Sequence, residues 1–157
     1  AAQLRGILQG RITNWRDLGG ANQPIDLIAQ DRHTSDGVLV QSIVLGEGRI
    51  SSSARLMTTP TSVVAQVTQN PNAFGFVGMG YLTDAVHLLA VEGIAPGPDQ
   101  LRAGLYPIRA PLAFVGLEPP GEAAYQATYA YRAFFAWAQS QAGQAIVAQR
   151  YGSLNLR

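Results

Sequence analysis

Twice in its first seventy residues the chain runs a short apolar stretch into a hydroxyl-rich junction and then straight into a helical pattern. "IDLIA" at 25–29 leads through Thr34, Ser35 and Asp36 to the apolar residues of Val38 to Leu45, and "ARLMTT" at 54–59 leads through Pro60, Thr61 and Ser62 into "SVVAQV". A buried strand needs continuous apolar residues and a helix needs them every three or four, so each change of period marks a strand followed by a helix. Alternation of this kind specifies an α/β architecture.

The rest of the chain fits that frame. Leu4, Ile7 and Leu8 lie at helical spacing, and Gly10 can end that helix. In "RITNWRDLGG", Trp15 and Leu18 are expected to plug a core edge while Asn14, Asp17, Gly19 and Gly20 make turns. "NAFGFVGMGYL" at 72–82 reads as a strand whose glycines mark close backbone approach, and "AVHLLAVEG" at 85–93 reads as another strand. A helical turn is expected at 98–103, a strand at "LAFVGLEPPG", and a long helix from Glu122 to Tyr151, broken or bent around Gly143. The aromatics of that last helix, Tyr125, Tyr129, Tyr131, Phe134, Phe135 and Trp137, read as core and domain packing. No comb of arginines accompanies them as a nucleic-acid stacking surface would require.

Composition removes several function classes. Eleven basic residues against ten acidic ones give no sequence-independent grip on nucleic acid or an acidic membrane. Every basic residue is an arginine. Cysteine is absent, which excludes disulfides, thiolate metal sites and cysteine nucleophiles, and fits an exported protein. His33 and His87 are far apart and lack the pairing of a zinc helix, so neither a metal nor a cofactor is expected. Ser35, His33 and Asp36 sit on one turn and cannot form a catalytic relay, and no GxSxG elbow or phosphate-cradling GxxxxGK[ST] occurs. The expectation is therefore a protein that is not an enzyme. The surviving chemistry is anion capture at the two helix starts, where the first amides lack partners inside the helix. The same residues would serve equally as ordinary helix caps.

Several blocks together resemble the latter part of the periplasmic phosphate-binding proteins of ABC transporters, the PstS-like class: "ILQGRITNWRDLGGANQPI", the strand into "DRHTSDG", "SVVAQVTQNPNAFGFVGMGYL", "YPIRAPLAF" and "AWAQSQAGQAIVAQRYGSLNL". The resemblance implies a lobe of the type 2 periplasmic-binding-protein fold, with a central mixed sheet flanked by helices and the N-terminal lobe segment missing. Residues 1–118 would form the second-lobe α/β domain, and 119–157 the C-terminal helices that return to or pack on the first lobe. It also implies a periplasmic or extracellular location, delivery of an oxyanion to a membrane permease, and no role for nucleic acid. With the first lobe absent, the aromatic C-terminal helix would expose apolar surface and favour a homodimer.

The family's second-lobe ligand segment has the form Arg-x-Asp/Glu-Gly-Ser-Gly-Thr. Aligned without a gap, Gln30 falls where the arginine belongs, Arg32 where the acid belongs, His33 and Ser35 on the glycines, Thr34 on the serine and Asp36 on the threonine. The ligand set implied is Gln30, Arg32, His33, Thr34, Ser35 and Asp36, with Thr61 and Ser62 from the second helix start. Two-residue alternation would place Arg32 on the strand face of residue 30, where its guanidinium replaces the missing one. Asp36 would oppose a doubly charged anion unless paired with Arg32. Positionally the stretch is a ligand loop, and chemically it is a poor one. Two functions follow: a solute-binding module for phosphate or a related oxyanion in an ABC-type uptake system, or a sensory, envelope-associated or protein-interaction module whose cleft has degenerated.

Overall fold

The computed structural model describes residues 1–110, 128–149 and 151. They divide between two compact units, Ala1–Pro96 with Tyr106–Arg109, and Gly97–Leu105 with Ala110–Arg157. The expected domain boundary at 118 lies outside the described residues, as does the strand expected at 112–121.

In the first unit, helix α1 (Ala2–Leu8) ends where Gly10 takes a φ of +72°. A 3₁₀ turn at Trp15–Leu18 follows, capped by Asn14, whose Oδ1 accepts from the Arg16 amide. Strand β1 (Asp26–Gln30) leads to helix α2 (Ser35–Val40), which continues into a π-helical turn at Gln41–Leu45. Strand β2 (Arg55–Met57), helix α3 (Pro60–Gln69) and strand β3 (Ala73–Gly75) complete the repeat, and a 3₁₀ turn at Met79–Tyr81 follows.

The three strands are all parallel in the order β2-β1-β3, so β1 is central and buried on both faces. That burial explains its unbroken apolar run. A mixed sheet would need an antiparallel member, and none occurs among the described residues.

Phe74 and Gly75 are consecutive in β3 and therefore point to opposite faces. On the Phe74 face, Ile7 and Leu8 of α1, Leu27, Val40 of α2, and Val44 and Leu45 of the π turn form the main core. Trp15 packs against it, its ring 6.4 Å from that of Phe74 and its indole N–H donating to the Asn72 carbonyl at 3.0 Å. On the Gly75 face lies α3. A methyl group on Gly75 would come within 2.8 Å of Val63 Cγ1 and 3.2 Å of the Ile28 carbonyl, so the bare position is what lets α3 settle on the sheet. This is the close approach expected of that glycine-rich segment. Arg55 closes the amino edge of the sheet, donating to Asp26 Oδ2 at 2.9 Å and to Gln66, while Asn70 donates to the same Asp26 oxygen.

Residues 85–93 are not a strand. Glu92 at φ +56° and Gly93 at φ +79° fold the chain into a tight turn, leaving one isolated bridge between Val91 and Ile94. His87, Leu88 and Leu89 are exposed, so the apolar alternation there reflects no sheet face.

The second unit contains helices α4 (Pro98–Arg102), α5 (Thr128–Gln139) and α6 (Gln141–Val147). The expected long C-terminal helix is interrupted at Ser140, which leaves helical geometry with ψ 165° and caps α6 by accepting from the Gly143 amide. Gly143 is nonetheless essential to the bend. A methyl group there would lie 2.8 Å from Ala138 Cα, so only glycine lets α6 fold back against the end of α5. Phe134 and Trp137 are both exposed, and Phe134 stacks edge-on to Phe135. Tyr125 lies outside the described residues.

Candidate functional site

The parallel register sets Gln30 beside Met57, so the chain leaves β1 and β2 side by side at the carboxyl edge of the sheet. From β1 it turns into α2 on the Phe74 face; from β2 it turns into α3 on the Gly75 face. In the order β2-β1-β3 the strand order reverses between β1 and β3, and α/β proteins bind ligands in the crevice outside the carboxyl ends of the strands at such a point. Both hydroxyl-rich junctions stand at this edge of the sheet, and the first contacts the loop after β3 through Asp36.

Residues 31–34 form the first wall, and they are shaped by their own hydrogen bonds. β1 ends at Gln30, and Asp31 turns the chain: its carboxylate accepts from the His33 amide at 2.8 Å and its carbonyl accepts from the Thr34 amide and hydroxyl. Thr34 caps α2, its Oγ1 accepting from the Gly37 amide. Gly37 is obligatory, since a side chain would run into the Asp31 carbonyl and come within 3.0 Å of Arg32 Cα. The strand-like alternation expected to put Arg32 on the face of residue 30 therefore fails, because the backbone has already left the sheet. Arg32 is exposed, and its Nε donates to His33 Nε2 at 3.2 Å.

The partner of Asp36 is not the arginine that would offset its charge. Its Oδ2 accepts from Gln30 Nε2 at 2.8 Å and from the Gly78 amide at 3.0 Å, not from Arg32. Gln30 is almost wholly buried, at 1% exposure, and the same amide nitrogen also donates to the Phe76 carbonyl at 3.3 Å. The aligned arginine position thus holds a group turned inward that ties the β1–α2 junction to the loop after β3.

The second junction is built like the first. Thr59 caps α3, its Oγ1 accepting from the Ser62 amide, and Ser62 Oγ donates to the Thr59 carbonyl at 2.7 Å. Thr61 is exposed. The polar side-chain groups of Gln30, Thr34 and Ser62 are therefore engaged within the protein. Among the described residues the amides of Ser35, Asp36 and Thr61 donate to nothing, as expected for first-turn amides without an intrahelical acceptor.

Sequence reasoning missed Gly78 and Tyr81. The glycine signal in "GFVGMG" was present, but its reason is spatial: a methyl group on Gly78 would lie 3.3 Å from Asp36 Oδ1 and 3.9 Å from the Tyr81 ring, which is itself half exposed. Among the described residues no three His, Asp or Glu gather as a metal site, and no helix is long and apolar enough to cross a membrane.

The model of the PBP superfamily domain matches residues 1–141. The phosphate-binding protein PstS of Bacillus subtilis (strain 168) is 30% identical over 108 residues, covering 68% of this chain and 35% of its own length. Among solved structures, PstS from Borrelia burgdorferi superposes with a TM-score of 0.74 at 19% identity, over 98% of this chain and 62% of that one. An ABC-type phosphate transport receptor from Vibrio cholerae gives 0.71 at 20% identity, over 99% of this chain and 62% of that one. The chain thus spans about a third of the Bacillus relative's length and three-fifths of these structures. Its architecture is that of the type 2 periplasmic binding proteins, with the crevice at the carboxyl edge of a parallel sheet. With the match extending over residues 1–141, the chain belongs to the PBP superfamily and is PstS-like.

Proposed function

We propose that this chain is a solute-binding module for phosphate or a related oxyanion, serving an ABC-type uptake permease from the periplasmic or extracellular side of the membrane. The observation that carries this reading is the placement of two helix starts, with the unengaged amides of Ser35, Asp36 and Thr61, at the carboxyl edge of the parallel sheet. Such amides stabilise negative charge without a metal or a general base. Arg32 is the cation of the site, exposed and free of any carboxylate partner among the described residues. The Ser35 and Thr61 hydroxyls are the remaining donors.

Isothermal titration of the full protein with phosphate, sulfate and small carboxylates tests the proposal. Saturable heat with one of these oxyanions is expected, and Arg32→Gln weakens that binding roughly tenfold, the loss typical of one charge-assisted hydrogen bond. Silence towards every oxyanion overturns it.

A further inference from the structure

Asp36 is the least expected member of an anion site, and its surroundings explain what it does there. Two donors from separate loops converge on one of its oxygens: the side-chain amide of Gln30 at the end of β1 and the backbone amide of Gly78 beyond β3. Gln30 is held in place by its burial and by its second bond to the Phe76 carbonyl. Gly78 has no side chain to shield its amide, and the space a Cβ would fill is bordered by Asp36 Oδ1. Two preorganised donors converging on a single oxygen make an oxyanion seat, and the oxygen occupying it belongs to the protein's own carboxylate.

We propose that Asp36 is a tethered occupant of an oxyanion seat formed by Gln30 Nε2 and the Gly78 amide, and that it limits how strongly this site holds a free anion. The limit has two parts. The carboxylate fills the seat, and its charge opposes a second anion brought to the neighbouring Ser35 and Asp36 amides. A tethered group competes at high effective concentration, so a free ligand displaces it poorly. Affinity for the oxyanion is thereby set low by one residue of the site. This inference rests on the oxyanion reading of the crevice, but the seat itself can be tested apart from it.

The test compares the wild-type chain with Asp36→Ala and Asp36→Asn, using inorganic phosphate and formate as probes. Alanine empties the seat and removes the charge, whereas asparagine removes the charge and keeps an oxygen between the two donors. Phosphate is expected to bind Asp36→Ala at least tenfold more tightly than wild type, with Asp36→Asn in between, as befits two hydrogen bonds regained by the ligand. In nitrogen-edited spectra, formate should shift the Gly78 amide of Asp36→Ala and leave that of the wild type unmoved. Equal or weaker phosphate binding by both variants would assign Asp36 to ligand contact or to holding the loops, and overturns the proposal. So does a Gly78 amide that ignores formate in a folded Asp36→Ala protein. If formate moves that amide while phosphate binds no variant, the seat stands and the phosphate reading of the crevice falls. Should Asp36→Ala fail to fold, Gln30→Leu removes one donor from the seat. The tethered-occupant account then predicts that the Gly78 amide remains bonded to Asp36 and that phosphate affinity does not rise. A tenfold rise in Gln30→Leu overturns it.

Discussion

Gly37 is the residue on which the first wall of the crevice depends. Its backbone is ordinary helix, so conformational freedom is not the reason for glycine there; contact with the turn at Asp31 and Arg32 is. Gly37→Ala is expected to cost about 1–3 kcal/mol through overpacking, seen as a lower denaturant midpoint at unchanged slope. Tyr106 offers a second test at this scale. Burial disfavours its phenolate and raises its pKa above the ordinary 10.0. The unfolded chain loses that proton first, so the contribution is intact below pH 10.0 and is lost as pH rises towards the folded value. Melting temperature should therefore fall less steeply above pH 10.0 in Tyr106→Phe than in the wild type. The two hydroxyl-rich junctions were legible from residue types, because caps are local chemistry. The Asp36–Gln30–Gly78 contacts were not, because they join segments 42 residues apart and no local rule links an aspartate to a distant glycine amide.

Among elements, α3 shows best how much a local pattern can fix. Proline at its first position, a threonine cap and a stop before Asn70 and Pro71 are all sequence signals, and the helix runs from Pro60 to Gln69. Thr59→Ala removes the cap and should destabilise the protein by about 1 kcal/mol, measurable by chemical denaturation. Element ends were harder to read where two signals competed. At the C-terminal helix, glycine suggested a break at 143, but Ser140 supplies the cap and Gly143 supplies the clearance, so the break falls three residues earlier. At 85–93 apolar alternation suggested a strand, yet a strand exists only where another strand pairs with it. The left-handed turn at Glu92 and Gly93 allows no more than one bridge.

Across the whole molecule, the first unit buries apolar groups on both faces of its parallel sheet. Leu8, at 1% exposure, belongs to the Phe74 side, while Val63, also at 1%, belongs to the Gly75 side. Leu8→Ala should cost about 2–5 kcal/mol. Val63→Ala should cost roughly 1.5–3 kcal/mol. With the sheet between them they share no cavity, and the double variant should lose the sum to within about 0.5 kcal/mol in equilibrium unfolding. Coupling well beyond that would mean the two faces adjust together.

The chain has two tryptophans, and each compact unit holds one of them. Trp15 is wedged beside Phe74 with its indole nitrogen bonded, whereas Trp137 stands half in solvent. Nature has thus supplied a separate fluorophore for either half. With Trp137→Phe, the remaining emission should shift to the red only as the sheet unit opens; with Trp15→Phe, the signal left behind follows the helical unit. Melting curves recorded on the two variants would then reveal, without any added label, whether the halves come apart in one step or in two.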